Sequence, residues 1–357
     1  MTIKTDCFHF LGYIPCKPHK LHGYHCNSCP EYLKRDGRIL VIKLAAAGDV
    51  IRTTPVLGPL KSEFPSHRIA WLSKYPDLLP KVIDDPLSFS LESILWLRNT
   101  CFDLLINLDK DREACALAKE IKAGRKLGFI LDDNGYCRPC DQGASQDKFI
   151  TGLFDDENRK NRLSYIEETM AMCGYEFQGE EYILDLPEAR VDLKIPGTGS
   201  VIGLNTGCGS RWTSRLWPEK YWIELTRLLH DQGNRIMLLG GPEEDDKNAR
   251  ISEITKAYYP GCFSLEEFIS VMDRCEVVVT AVTMAMHIAI GLKKKLVLFN
   301  NIFNPHEFEL YGRGVILAPE QECTCFFQPT CTNESFCMET LTPGTVLESI
   351  NCLLSSK

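Results

Sequence analysis

From residue 38 onward, short apolar runs alternate with stretches of helical periodicity. Residues 39–44, 68–72, 102–108 and 126–131 are brief and aliphatic, the pattern of strands buried on both faces of a parallel sheet. Helical patterns occupy 50–64, broken by Pro55 and Pro59 and closed by Pro65, then 112–123 with Gly124 as a stop, and 161–173 with Gly174 as a stop. Residues 137–140 fall in a polar loop, DDNGYCRPCDQG. A stretch with Pro187, Pro196, Gly197 and Gly199 then has few apolar anchors and reads as a linker, 187–200. Alternation restarts beyond it. Strands are expected over 201–205, 235–239, 276–280 and 295–300, and helices over 219–231, from Glu243, over 264–273, over 283–290 and over 343–354. Two successive alternating sets predict an α/β protein of two doubly wound, Rossmann-like domains facing a cleft, the default place for a site. The expected divisions are a head over 1–37, a first domain over 38–186, the linker 187–200, a second domain over 201–340 and a closing helix over 341–357.

A chain of 357 residues with 44% hydrophobic residues suits two domains with real cores. Its net charge of −8 and lack of a basic run argue against nucleic acid as a partner. The opening MTIKTDCFHF has no apolar core of a signal peptide, and the longest uncharged stretch, 277–292, is too short to span a membrane. The expectation is a cytoplasmic protein with no transmembrane segment. Peripheral attachment at an inner membrane is the alternative, weakly disfavoured because no basic amphipathic stretch is present.

Seventeen cysteines change that picture. Ten cluster: Cys7, Cys16, Cys26 and Cys29; Cys137 and Cys140; Cys323, Cys325, Cys331 and Cys337. Without an export signal, clustered thiols read as metal ligands rather than disulfides. The head, CFHFLGYIPCKPHKLHGYHCNSCPEY, is poor in aliphatic residues and needs a staple to hold a shape. Cys7, Cys16, Cys26 and Cys29 are expected to bind structural zinc, or iron, in a closed tetrahedral site, with His9, His19, His22 and His25 as spare ligands. The second set, Cys323, Cys325, Cys331 and Cys337, is a weaker candidate. Cys323 and Cys325 would point to opposite faces of an extended backbone, so Cys137 or Cys140 is a candidate to complete it.

Candidate chemistry begins in residues 38–55, RILVIKLAAAGDVIRTTP. The first strand runs into a small-residue turn, and Asp49 follows Gly48. A carboxylate at the carboxyl end of a parallel strand stands where open α/β sheets place ligands. Its other reading is a cap on a helix beginning at Val50. In NTGCGSRWTSRLWP, over 205–218, a Gly-rich turn with Arg211 and Arg215 suits a phosphate, and Thr206 and Gly207 belong to that turn. Glu243, after Leu-Gly-Gly-Pro, is either a first-turn acid or an acceptor for ribose hydroxyls. Over 277–292, a strand leads into a helix near Thr283, whose free N–H groups suit a diphosphate, with His287 about one turn in. No G-x-G-x-x-G or Walker P-loop appears.

These stretches, in this order, resemble glycosyltransferase family 9, the heptosyltransferase-like family, over roughly residues 38–350. The match rests on Gly48-Asp49-Val50 with Thr54-Pro55, the Trp-Pro loop, Leu-Gly-Gly-Pro-Glu and Met286-His287-Ile288-Ala289. The resemblance implies a GT-B architecture, with an acceptor domain followed by a nucleotide-sugar domain. It implies an inverting glycosyltransferase that uses ADP-heptose without a catalytic metal. Asp49 would be the general base. Arg215, Glu243, Thr283 and His287, with the Thr206–Gly207 turn and Arg211, would meet the donor. The acceptor would be a lipopolysaccharide core sugar, another glycan, a lipid-linked acceptor or a protein hydroxyl. Val282-Thr283-Met284 departs from the family's usual Asp-Thr-Gly, so a carboxylate and a glycine are missing beside the diphosphate. The C-terminal cysteines resemble, with different spacing, the metal-bearing finger of the family's protein-modifying branch. A non-catalytic binding or assembly protein on the same fold is the alternative, and metal-held interfaces would suit a homo-oligomer.

Overall fold

The apolar runs become strands because most of their positions are buried and each is joined to its neighbours by connections that lead back to the same end of a sheet. The computed structural model describes residues 2–321 and 324–355. By their contacts these residues sort into two units. One comprises the chain up to Ala45, Pro55–Phe149 and Thr169–Glu180; the other comprises Ala46–Thr54, Ile150–Glu168 and the chain from Glu181 onward.

The first unit holds a six-stranded sheet of β1 (Gly37–Ile42), β2 (His67–Ser73), β3 (Asp85–Ser88), β4 (Cys101–Asn107), β5 (Lys122–Leu131) and β6 (Cys137–Pro139), in the order β3-β2-β1-β4-β5-β6. All neighbours are parallel except β5 and β6. Leu40, Ile42, Leu44, Ala70, Leu72 and Leu105 pack with Ala114, Leu117 and Ala118 of the Arg112–Glu120 helix. The second unit holds β7 (Val201–Asn205), β8 (Arg235–Leu239), β9 (Val277–Ala281), β10 (Lys295–Phe299) and β11 (Gly314–Leu317), all parallel, in the order β11-β10-β9-β7-β8. Trp217, Trp222, Leu225 and Leu229 cover one face of this sheet, and the Pro343–Ser355 helix adds Val346 and Ile350.

Several expectations change. The pattern over 50–64 is a helix Ala47–Thr53, a 3-10 turn Thr54–Val56 and a second helix Leu57–Glu63, because proline at 55 and 59 cannot donate the interior hydrogen bonds. Gly124 lies inside β5 rather than ending a helix; a Cβ there would approach the Asp103 carbonyl to 3.1 Å. The polar loop at Cys137 forms β6 against β5, with Asp132 accepting from the N–H groups of Asn134 and Tyr136 in the turn. The third helix is Tyr165–Met172, shorter than its pattern. Strands β3 and β11 have only four residues each, too few for alternation to register. Residues 187–200 carry no helix or strand, and Val191 and Arg190 are tied to Ser270 and Asp273 of the second unit.

At the carboxyl end of the first sheet a buried ion pair fixes the turn that leaves β1. Asp109, just past β4, accepts from Lys43 Nζ at 2.6 Å and from the N–H groups of Leu44 at 2.5 Å and Ala45 at 3.4 Å. Both side chains are buried. Removing one partner strands the other charge in a dry site, which costs roughly 3–5 kcal/mol. Asp109→Asn should therefore lower the urea unfolding free energy by about that amount, and adding Lys43→Met should return much of it. A loss from Asp109→Asn below about 1 kcal/mol would show that the pair is not anchoring the turn.

Candidate active site

The helix Ala47–Thr53 places Asp49 at its third position, not at its cap: the cap residue is Ala46, and the Asp49 carboxylate accepts from the Ala46 N–H at 3.3 Å. Its other oxygen pairs with Arg52 Nη2 at 2.9 Å. The spacing of three is the helical spacing that brings opposite charges together, so this partner was readable in the sequence. Arg52 lies with its guanidinium carbon 3.3 Å from the Tyr165 ring centroid. Burial opposes its charge, but Asp49, Tyr165 and Glu307 more than restore it and hold the Arg52 pKa above its ordinary value. Its buried Nε has no hydrogen-bond partner.

The same helix packs on the Met284–Gly291 helix through bare backbone. A Cβ on Gly48 would stand 2.3 Å from His287 Cδ2, so only glycine permits the approach. Tyr182 stacks on the same ring at 6.1 Å between centroids, with its hydroxyl 3.5 Å from His287 Nδ1. The neighbouring residue is held too: Ile183 N–H donates to Thr54 Oγ1, which itself donates to the Ile51 carbonyl. His287 is 6% exposed, and burial, with nearby Arg52, pushes its pKa down to about 3. It is a neutral packing partner of the Asp49 turn in this arrangement.

The remaining predicted donor residues gather at the carboxyl ends of β7, β8 and β9. Asn205 Nδ2 donates to the Gly207 carbonyl and to Thr280 Oγ1. Thr206 donates its hydroxyl to Asn248 at 2.6 Å, and Lys247 donates to the Thr206 carbonyl at 2.7 Å. Gly207 lies against Glu244, whose Oε1 would be 1.9 Å from an added Cβ. The Glu244 carboxylate accepts from the Gly241 and Gly209 N–H groups and is buried. Glu243 is exposed and accepts from Ser210 Oγ at 3.1 Å. Sequence reasoning chose Glu243 and missed its neighbour; which of two adjacent acids turns inward depends on the 3-10 turn Pro242–Glu244. Lys247 was also missed, although it follows the acidic turn by one helical step; burial lowers its pKa.

Arg215 is 8% exposed. It donates Nη1 to the Val282 carbonyl and Nη2 to the Cys208 carbonyl, and it lies 5.4 Å from the centroids of both Trp212 and Phe303. Burial lowers its pKa below the ordinary arginine value, yet a guanidinium keeps its proton. Its Nε is buried and unpartnered. Val282 immediately precedes Thr283, the cap of the Met284–Gly291 helix; the Thr283 side chain makes no capping bond to the helix and meets Thr280 Oγ1 at 3.1 Å instead. A fixed cation thus stands beside a helix N-terminus whose first N–H groups the cap side chain leaves open. Arg211, by contrast, is exposed on its loop.

Among the described residues, no three His, Cys, Asp or Glu side chains converge at metal-ligating positions. Cys325 and Cys337 are buried near Cys331, whose thiol pKa rises through burial and these neighbours. Cys323 lies outside the described residues. Cys137 has Cys115 as its neighbour, Sγ to Sγ 3.6 Å.

Residues 173–336 match the model of glycosyltransferase family 9 (heptosyltransferase). Similar solved structures include a family 9 glycosyl transferase from Veillonella parvula, at 18% identity and a TM-score of 0.65, covering 90% of this chain and 97% of that one. Another is Escherichia coli heptosyltransferase WaaC with ADP-2-deoxy-2-fluoro heptose, at 18% identity and a TM-score of 0.60, covering 88% and 99%. The iron-containing dodecameric glycosyltransferase TibC from enterotoxigenic E. coli is similar over 91% of this chain and 81% of that one, at 15% identity and a TM-score of 0.54. At these identities the likeness gives the fold, two parallel-sheet α/β domains of GT-B type. No curated protein matches the chain in sequence. Among the described residues no helix is long and apolar enough to cross a membrane.

His287 supplies a pH signature. Its folded pKa, about 3, lies below the unfolded value of 6.5. The stability from keeping it neutral is therefore complete above about pH 6.5 and is lost as pH falls toward 3, at about 1.4 kcal/mol per unit. Urea melts between pH 6 and 4 should approach that slope, and His287→Gln should flatten it; an unchanged slope would place the titrating group elsewhere.

Proposed function

We propose that the protein is an inverting glycosyltransferase that moves a sugar, heptose in the first instance, from a nucleoside-diphosphate donor to a hydroxyl acceptor. The observation that carries this reading is Arg215: a buried guanidinium, pinned to the Val282 carbonyl and with Nε unpartnered, beside the open N-terminus of the Met284–Gly291 helix. Cation and helix dipole together favour a diphosphate, and they would stabilise the charge that grows on it as the sugar leaves. The Gly-rich turn over 205–209 adds backbone N–H groups, and exposed Glu243 offers its outer side to ribose hydroxyls. Heptose and ADP come from the likeness to WaaC.

Asp49 is the general base of this proposal. Arg52 holds one carboxylate oxygen, leaving the carboxylate oriented and part-exposed to take a proton from the acceptor hydroxyl. Zinc or iron would be structural, with no metal in the chemical step. A lipopolysaccharide core sugar, another cell-surface glycan, a lipid-linked acceptor and a protein hydroxyl all present the required group.

A second reading, a binding or assembly protein on the same fold, is favoured by one observation: Met284 begins the helix where the family has glycine, and its side chain limits close approach of a phosphate.

Calorimetry with ADP, UDP, GDP and CDP tests the donor site: ADP should bind, and Arg215→Ala should weaken it at least about tenfold. Sugar release from ADP-heptose tests the base: Asp49→Ala should slow it about 10²–10⁴-fold. Equal rates in the two proteins would remove Asp49 as the base. Nucleotide binding without turnover in either would favour the second reading.

A further inference from the structure

Residues 2–36 hold a defined conformation with almost no core. Pro18 is the one fully buried side chain among them, while Tyr13, Ile14 and Leu21 are 81%, 52% and 62% exposed. A segment this short cannot offset its chain entropy by burying apolar surface. What it encloses is a small cavity lined by Cys7, Cys16, Cys26 and Cys29, together with His9 and Tyr32. The four thiols arrive from three separate turns. Cys7 lies in a turn closed by Phe10 N–H to the Cys7 carbonyl, and it bridges antiparallel to Lys34. Cys16 caps the Lys17–His22 helix, its carbonyl accepting from Lys20. Cys26 and Cys29 flank the turn that Ser28 closes onto the His25 carbonyl.

We propose that Cys7, Cys16, Cys26 and Cys29 form a structural site for one thiolate-preferring divalent metal ion, of which zinc is the ordinary occupant. Four sulfurs satisfy the tetrahedral preference of zinc at about 2.3 Å and leave no open position for substrate. The four side chains line one cavity without converging on a single point, so binding the ion would require the thiols to turn inward. His9, on the same cavity, is the one nitrogen that could replace a sulfur.

The site has a mechanical role. The head is tied to β2 by Arg68, which donates to the Phe8 carbonyl at 2.8 Å while paired with Asp85, and it is closed on itself by Phe8 N–H to the Leu33 carbonyl and Arg35 N–H to the Asp6 carbonyl. Tyr32 donates to Asp6. All of these cross between residues 4–10 and 32–35 or reach β2. The metal would lock the intervening chain, 11–31, which they do not reach. Binding energy there is folding energy for the head.

The test uses the full chain, purified under reducing conditions without chelator. Elemental analysis should find about one metal ion per chain fewer in Cys26→Ser/Cys29→Ser than in the wild type, while Cys331→Ser/Cys337→Ser leaves that difference intact. Cobalt(II) substitution should give the intense visible bands of tetrahedral thiolate ligation in the wild type and lose them in the head variant. Should the head variant misfold, the wild type decides alone. Alkylation followed by mass mapping should find the four head thiols protected until a zinc chelator is added. Equal metal content in wild type and head variant, or four head thiols that alkylate at once in the native protein, would overturn the site.

Discussion

The contact between Gly48 and His287 is the constraint on which the candidate active site depends. It exists because one residue has no side chain and the other is held neutral by burial. With that approach, the Ala47–Thr53 helix lies against the Met284–Gly291 helix, and a carboxylate encoded near residue 50 belongs to the same compact unit as the cation encoded near residue 215. Tyr182 and Ile183 close around the contact from a segment with no regular structure, Ile183 through its bond to Thr54. Each of these bonds is ordinary; their joint effect is to fix the direction of the helix that carries Asp49.

Charge is handled differently at the two sheet ends. Asp109 is sealed: a lysine and two backbone N–H groups consume it, and it serves the turn after β1. Asp49 is held on one oxygen by Arg52 and more loosely on the other by the Ala46 N–H, and it stays part-exposed. The same contrast separates Glu244, spent on glycine N–H groups, from Glu243 on the surface. In each pair one carboxylate is spent on holding backbone and the other stays at least part-exposed. Such division is expected where burial and pairing decide what a carboxylate can do.

The head follows another logic. Where the two sheets draw stability from aliphatic layers, residues 2–36 have one buried proline and four thiols around a cavity. The site proposed for these thiols would substitute for a core.

The sequence alone determined the alternation of strands and helices, the presence of two parallel α/β sheets, the small-residue turn before Asp49 and the Arg–Gly loop after β7. These follow from periodicity and from residues whose backbone freedom is local. It also held the Asp49–Arg52 pair, since three-residue helical spacing is local. Only the tertiary structure decided that Asp49 is the third residue of its helix, that His287 is a buried neutral partner of Gly48, and that Glu244 rather than Glu243 turns inward. Short strands such as β3, and the recruitment of 46–54 and 150–168 into the second unit, were likewise invisible in the sequence. The reason is physical: burial, pairing and close approach belong to residues far apart in the chain, and no window of sequence contains both partners.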